Sequence, residues 1–274
     1  MISAIHTLNI ILPILYGATF VVYLYDFIKD TRSMSDSKRI FLFLTLMIHI
    51  FYLLARTIEF DHTPITNKFE IFTLLAFSIS FSYFVLELLT DVRGTGLFII
   101  LFSFIFQIIS SLFIEDLFEV AEVLRNRLLG LHVVSSMLGY SGFTLSAVYG
   151  ILYLMMYNEI KMNKFGLIFK RLPSLETLYK LCFYSVLIGF VLLTFGVVIG
   201  VIWLPSAFPN FSYSDPKLIT TGIVWLIFGF LVAAKFIANW HGKIVVNIAL
   251  FGYLIMILSI VLTIIFANSF HSFY

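Results

Sequence analysis

The sequence predicts an all-α membrane protein, a polytopic bundle of eight transmembrane helices forming one integral membrane domain over residues 1–274. Apolar residues make up 61% of the chain and charged residues 12%, against about 45–50% and 25% in a typical soluble protein. The mean hydropathy is +1.05. Too few polar groups remain to cover a water-facing surface, so the lipid bilayer must be the solvent. This composition excludes a soluble enzyme and a disordered chain, and a net charge of only +2 gives no support for a nucleic-acid partner.

Eight hydrophobic runs are each long enough to cross a bilayer, which takes about 17–25 residues. The runs cover approximately 4–28, 40–57, 69–90, 96–114, 131–157, 179–203, 217–238 and 245–267. None alternates like a porin strand, so each backbone must form its hydrogen bonds within its own segment, as a helix. The first run is expected to be a span and not a cleaved signal peptide, because it is too long and no basic residue precedes it.

The placement of Lys and Arg predicts that both termini are extracytoplasmic. The loops between spans are numbered from the N terminus. Twelve basic residues lie in the odd-numbered loops or at the span ends beside them, and five lie in the even-numbered loops or at the span ends beside those. Cytoplasmic loops carry the excess of basic residues. The loops at 58–68, 115–130 and 204–216 are therefore expected outside, and the basic loops at 29–39 and 158–180 inside.

The outer loop at 115–129 has a helical pattern. Leu117, Ala121, Leu124 and Leu128 recur at steps of three and four residues, with polar side chains between them. This spacing predicts an amphipathic helix lying on the outer membrane face. A solvated connector is the alternative.

The outer loop at 204–217 contains three of the six prolines in the chain, which makes it irregular yet stiff. Phe208, Phe211 and Tyr213 give it an apolar face, and Trp203 and Trp225 lie on the flanking spans. Two interpretations remain open, an interfacial aromatic belt and a flat apolar platform for a planar ligand. Composition alone favours the belt.

Ionisable side chains within the spans are few. Glu87 and Lys235 lie near predicted inner span ends, where Glu87 can reach the interface or pair with Arg93 and Lys235 can extend to the interface. His49 lies near the middle of its span, and we expect it to form an inter-helix hydrogen bond. The sequence has no HExxH, no GxSxG and no paired intramembrane carboxylates, so no catalytic constellation indicates an enzyme and a coupled transporter is poorly supported.

Two histidines, His132 and His271, lie at the predicted outer ends of spans five and eight. Imidazole nitrogen is a standard axial ligand of haem iron, so two imidazoles on one face could hold an iron from both sides. A single interfacial histidine is more often an ordinary polar residue, which makes the pair a weak signal by itself. The single cysteine, Cys182, excludes a disulfide framework and a cysteine-based zinc cluster.

Five short motifs, in the same order along the chain, resemble the cytochrome c assembly (CcsA/ResC) superfamily over about residues 67–274. They are Asn67-Lys-Phe-Glu70, Leu131-His-Val-Val-Ser-Ser-Met-Leu-Gly-Tyr140, residues 200–228 with Asp215-Pro-Lys217, Asn239-Trp-His-Gly-Lys243, and Ser269-Phe-His-Ser-Phe-Tyr274. The second is similar to the opening of the family's haem-ligand helix, and the third to its tryptophan-rich outer "WWD" loop. The resemblance implies an external haem b whose axial ligands are His132 and His271.

The chain departs from the family pattern in that loop, where Phe208, Phe211, Ser212 and Ser214 stand at aromatic, tryptophan-rich positions. Ala233 stands where haem-transporting members have a histidine. Among family members, the chain most resembles the eight-span HemX branch. That resemblance implies a regulator in the bacterial cytoplasmic membrane that lowers the level of glutamyl-tRNA reductase, the first enzyme of the tetrapyrrole pathway.

Two functions therefore remain open. The first is a non-catalytic regulator of the HemX type, and the second is a cytochrome c synthase subunit that presents haem on the outer face. The lost tryptophans and the lost histidine disfavour the second. The site expected from the resemblance, the aromatic loop and the outer-face cations consists of His132, His271, Trp203, Phe208, Phe211, Tyr213, Asp215, Arg125 and Arg127. In it the imidazoles bind the iron, the aromatic loop covers the porphyrin edge, the two arginines bind the propionates, and Asp215 orders the loop at its Asp-Pro step.

The inner loop at 158–180 interleaves basic residues with apolar ones. We expect it to set the orientation of the chain and to contact anionic lipid. A further hypothesis is that it also contacts a cytoplasmic partner that governs reductase abundance.

Overall fold

The computed structural model describes residues 2–29, 34–207, 212 and 214–265. Within these ranges the chain forms helices and connecting turns, without a strand. The helices are α1 (Ile2–Lys29), α2 (Met34–Phe60), α3 (Lys68–Thr90), α4 (Gly96–Phe113), α5 (Arg127–Lys161), the short α6 (Leu167–Arg171), α7 (Leu175–Ala207), α8 (Pro216–Ile237) and α9 (Lys243–Ile265). Eight of them are long and apolar enough to cross a membrane. The all-α fold class and the eight spans are thus confirmed, and the outward placement of both termini stays a prediction.

The chain divides into two compact units. Unit 1 contains residues 1–130 and 170–173, and unit 2 contains residues 131–169 and 174–274. This division does not test the expectation of a single integral membrane domain over 1–274, which stays a prediction.

Unit 1 is built from α1 to α4, with α1 packed against both α2 and α4, and α3 against α4. Its core includes Ile5, Leu12, Tyr16 and Tyr52, which are fully buried. The turn between α3 and α4 depends on Gly94, whose φ of +84° suits glycine and whose missing side chain leaves room for the Arg171 carbonyl. This contact joins the short 170–173 segment to unit 1.

Unit 2 brings α5 against α7 at very short range because glycines face each other. A β-carbon on Gly142 would lie 2.7 Å from the Gly189 Cα, and one on Gly139 would lie 2.9 Å from the Leu193 nitrogen. Small residues allow such backbone approach between membrane helices. The Phe143 ring on α5 stacks on a ring of α8, that of Phe228.

Helix α8 begins at a well-defined cap. The Asp215 side chain accepts a hydrogen bond from the Lys217 backbone N–H at 2.8 Å, and Pro216 occupies the first helical position. Both features favour a helix start. The predicted ordering role of Asp215 is consistent with this cap.

The predicted amphipathic helix over 115–129 is wrong. Residues 114–121 are irregular, and only Glu122–Arg125 form a short 3-10 helix before α5. The backbone carbonyl of Glu115 accepts a hydrogen bond from Arg56 at 3.1 Å, and that of Leu117 lies 3.0 Å from His62 Nε2. These tertiary partners stabilise an irregular path despite the helical spacing of the apolar residues.

Candidate functional site

His132 has a fixed ring orientation near the beginning of α5. Its Nδ1 lies 2.7 Å from the backbone carbonyl oxygen of Gly196 on α7. Because a carbonyl oxygen only accepts hydrogen bonds, Nδ1 carries the proton and donates it, which leaves the Nε2 lone pair unprotonated. None of the residues that the structure describes forms a hydrogen bond with Nε2. This is the tautomer that a metal-binding histidine needs, since such a ligand usually donates its other ring N–H to a carbonyl or carboxylate.

Two glycines of α7, one turn apart, form the surface on which His132 rests. A β-carbon on Gly200 would lie 2.7 Å from His132 Nδ1, and one on Gly196 would lie 3.2 Å from the His132 carbonyl oxygen. Ser136 Oγ donates to that same carbonyl at 2.7 Å. Glycine at position 200 therefore leaves room for the His132 ring, and glycine at position 196 lets the α5 backbone approach α7 closely.

The tryptophans near this end of unit 2 are tied to helix packing. Trp203 is buried near the end of α7. The Trp225 indole N–H donates to Thr194 Oγ1 at 2.8 Å, and its ring packs against Phe190. Trp225 thus links α8 to α7 through a polar and an aromatic contact.

Several predicted site residues lie outside the described residues. They are Phe208, Phe211 and Tyr213 of the aromatic loop, and the second candidate iron ligand, His271. Their roles stay predictions.

The two predicted propionate partners, Arg125 and Arg127, belong to unit 1 and are both exposed. Arg125 lies 3.5 Å from Asp61, so one weak, solvent-exposed ion pair already engages it. Within unit 2, Lys217 is a further cation, which the prediction did not include. It lies over the Tyr140 ring at 6.0 Å and is close enough to interact electrostatically with His132. Its position in the Asp-Pro-Lys motif was the signal that could have identified it.

A buried charge network lies at the predicted outer end of unit 1. The Arg56 guanidinium donates to Glu70 and to Asp116, each at 2.8 Å, and only 2% of the Arg56 side chain is exposed. Glu70 also accepts from the Thr66 backbone N–H and hydroxyl. Asp116 completes the network with His6 Nε2 at 2.7 Å. Both terminal nitrogens of this buried arginine are bound to carboxylates, so it is no candidate for binding a propionate.

Burial alone would raise the pKa of Asp116. The hydrogen bonds from His6 and Arg56 outweigh burial, and the positive charges add to them, so the pKa of Asp116 lies below its ordinary value. Asp116 therefore remains a carboxylate over a wider acidic range than an isolated aspartate does.

The predicted inner end of unit 1 has a second buried cluster, and here the prediction for Glu87 is wrong. Glu87 is fully buried and accepts hydrogen bonds from the Tyr23 hydroxyl at 2.7 Å and the Tyr83 hydroxyl at 3.0 Å. The buried Lys38 ammonium lies 3.7 Å from Glu87 and 2.8 Å from Asp26. The partners of Glu87 are thus Tyr83 of its own helix, Tyr23 of α1 and Lys38 of α2, and not the expected interface or the expected Arg93.

The expected inter-helix hydrogen bond of His49 is confirmed, with a partner on each side. Nε2 lies 3.0 Å from Thr73 Oγ1, whose own proton is donated to the side-chain amide oxygen Oε1 of Gln107 at 2.8 Å. Nε2–H must therefore donate, and Nδ1 accepts from the Tyr16 hydroxyl at 2.9 Å. Both nitrogens are used, so this buried imidazole stabilises the packing of unit 1.

The fold and these sites define a polytopic helical membrane protein with one imidazole held in a ligand-ready tautomer at a helix end. The profile of the family described as "Cytochrome C assembly protein" matches residues 7–271. The chain therefore belongs to the cytochrome c assembly protein family, a family that handles haem. The match begins well before residue 67, so the similarity covers unit 1 as well.

Individual relatives carry two different names. The chain is 27% identical over 221 residues to "Cytochrome c biogenesis protein CcsA" of Guillardia theta, covering 74% of this chain and 73% of the relative. It is 23% identical over 222 residues to "Protein HemX" of Brevibacillus brevis, covering 78% and 79%. A second "Protein HemX", of Bacillus subtilis (strain 168), is 27% identical over 121 residues, or 44% of each chain.

Proposed function

We propose that this chain is a regulatory membrane protein of the HemX type. It lowers the level of glutamyl-tRNA reductase and so limits tetrapyrrole and haem synthesis, without catalysis of its own. Family membership, two relatives named HemX and the degenerate outer loop support this role. It acts from the bacterial cytoplasmic membrane and requires a cytoplasmic partner linked to the reductase.

The regulator carries an external haem b site. The observation on which this site rests is the hydrogen bond from His132 Nδ1–H to the Gly196 carbonyl, which leaves the Nε2 lone pair unprotonated, as a metal ligand requires. His271 supplies the second imidazole. Haem, when bound, supplies an iron whose two axial positions accept imidazole nitrogen.

The other residues of the site bind and orient. Trp203 and the loop residues Phe208, Phe211 and Tyr213 form the apolar walls that a porphyrin needs. Arg125, Arg127 and the newly identified Lys217 are the cationic partners for propionates. Asp215 fixes the point at which the loop enters α8.

Absorption spectra of the purified full-length protein in native lipids test the haem site. Wild type and His241→Ala, which changes an exposed histidine of the same unit, should show a haem band after haem is added. His132→Ala and His271→Ala should show a weaker or shifted band. Equal binding by all four proteins, or by none, contradicts the axial-ligand assignment.

The regulatory role is tested in the source cell. Deleting the gene should raise glutamyl-tRNA reductase protein, measured by immunoblot, with a reductase transcript level as the control. Unchanged reductase protein contradicts the HemX-type role whatever the haem spectra show.

A cytochrome c synthase subunit that presents haem for thioether formation is the second candidate. The relative named CcsA, which aligns with 74% of this chain, favours it. In that case the deletion strain loses haem-stained c-type cytochromes while its reductase level stays unchanged. The two deletion phenotypes therefore separate the candidates.

A further inference from the structure

The segment that follows α5 is an ordered turn at the predicted inner end of unit 2. The Met162 N–H donates to the Asn158 carbonyl at 3.0 Å, and the Lys164 N–H to the Glu159 carbonyl at 2.9 Å. Asn163 between them has a φ of +53°, the left-handed conformation that ends helices. Helix α5 thus ends in a hydrogen-bonded turn at Asn163.

The Glu159 side chain holds the next residues in place. Its Oε2 accepts hydrogen bonds from the Gly166 N–H at 3.2 Å and the Phe169 N–H at 3.1 Å. A β-carbon on Gly166 would lie 3.0 Å from Oε1, so glycine permits this approach. We call residues 162–169 the Glu159 turn, because the carboxylate of the preceding Glu159 accepts hydrogen bonds from two backbone N–H groups in this segment.

The Glu159 turn presents large apolar side chains to its surroundings. Their exposed fractions are between 37% and 56%, for Met162, Phe165, Leu167 and Phe169. The Phe165 and Phe169 rings contact each other edge to face at 4.8 Å, so they form one patch. An ordered turn that holds two aromatic rings outward is unfavourable in water and suits the boundary between headgroups and acyl chains.

Free cations lie beside this patch. Lys161 and Lys164 are exposed, and no carboxylate of the described part of the chain lies within ion-pair distance of either. Other lysines at this end of unit 2 are engaged, since Lys180 pairs with Glu176 at 2.7 Å and Lys243 lies 4.9 Å from the centre of the Tyr157 ring.

We propose that the Glu159 turn is an anchor for anionic lipid headgroups. It joins two spans, so it cannot leave the membrane boundary, and the bilayer beside α5 and α7 is the surface it meets. Phe165 and Phe169 insert at the level of the headgroups, and Lys161 and Lys164 bind lipid phosphates. A basic residue near an anionic membrane surface strengthens binding by about fivefold. This inference is independent of the proposed function.

The test uses full-length protein in nanodiscs with a single environment-sensitive fluorophore. The label is attached at Phe165→Cys in a Cys182→Ser background, and discs contain phosphatidylcholine with increasing phosphatidylglycerol. We expect a blue shift and stronger emission as phosphatidylglycerol increases. The double change Lys161→Gln with Lys164→Gln should raise the phosphatidylglycerol fraction needed for half of that response at least fivefold, or abolish the response.

Lys180→Gln is the matched control, because it removes an exposed lysine of the same unit that is already paired. It should respond as the parent does. Glu159→Gln should weaken the response without changing any lysine, since a neutral amide accepts the two backbone N–H groups less strongly. A label that stays in water in every disc, or that responds equally without anionic lipid, overturns the proposal, and so does a response that requires added cytosolic protein.

Discussion

Replacing Gly200 with alanine should weaken haem binding while both candidate iron ligands remain in the chain. The added methyl group would lie 2.7 Å from His132 Nδ1 and 2.8 Å from Cε1. Those distances are too short for stable contact, so the ring must turn away. The hydrogen bond to the Gly196 carbonyl would then be lost, and with it the tautomer that leaves Nε2 free.

The size of the effect follows from these contacts. Overpacking a close contact costs about 1–3 kcal/mol, and losing a neutral hydrogen bond costs about 0.5–1.5 kcal/mol. The gain in helix propensity from glycine to alanine is about 1 kcal/mol, and it is the same at Gly222, where nothing lies within 4 Å of an added β-carbon. Gly200→Ala should therefore unfold with about 2–4 kcal/mol less stability than Gly222→Ala. Haem affinity should fall about 10–100-fold, as for other lost partners of a metal-binding histidine.

Haem titration followed by absorbance measures the affinity, and denaturant unfolding of both variants in the same detergent measures the stability. Gly222→Ala should bind haem as wild type does. If Gly200→Ala matches Gly222→Ala in both measurements, the close packing of α7 on His132 does not position the ring.

Three further outcomes are expected. Arg56→Met should destabilise unit 1 by about 3–5 kcal/mol, because it leaves the buried Glu70 carboxylate without its cation, whereas Arg93→Met, at a half-exposed pair, should change stability by less than about 1 kcal/mol. The lowered pKa of Asp116 stabilises the folded state above about pH 4, and that contribution is lost as the pH falls through the lowered pKa. Unfolding measured between pH 6 and pH 3 should therefore depend less on pH in Asp116→Asn than in wild type. A reporter enzyme that is active only outside the cytoplasm should be active when it is fused to the C terminus, and one that is active only in the cytoplasm should not.

Each of these three predictions has a result that would contradict it. Equal losses for the two arginine variants would mean that burial of the Arg56 pair does not determine its contribution. Parallel pH curves for wild type and Asp116→Asn would assign the acid sensitivity to other carboxylates. Activity of a cytoplasm-dependent reporter at the C terminus would reverse the predicted orientation.

The spans could be predicted because the bilayer requires each spanning segment to have a certain length and an apolar composition. Both are local properties of the sequence. The cap at Asp215 was predictable for the same reason, since an Asp-Pro step acts on the next few residues alone. An inter-helix hydrogen bond of His49 could be predicted, because a polar group in a span needs a partner. Nothing in the sequence identified Tyr16 and Thr73 as the partners.

The buried charges could not be predicted, because their partners are distant in the chain. Arg56 meets Glu70 and Asp116, which lie 14 and 60 residues away. The pattern at 115–129 indicated a helix because it records only apolar spacing, while the path is set by hydrogen bonds to Arg56 and His62. The glycines of α7 were recognisable as packing positions, but their role under His132 depends on the register between α5 and α7.

The small 170–173 segment has a consequence for biosynthesis. Unit 1 holds Arg171 against the Gly94 turn, and the Arg171 guanidinium donates to the Ile28 carbonyl at 2.7 Å. A ribosome must therefore finish α5 before the last piece of unit 1 leaves the exit tunnel. The first four spans can insert early, but the contacts of Arg171 at their predicted inner end form only after α5 and the short α6 have been synthesised. A fragment ending at residue 130 would lack that closure, whereas a fragment ending just after residue 173 would contain it.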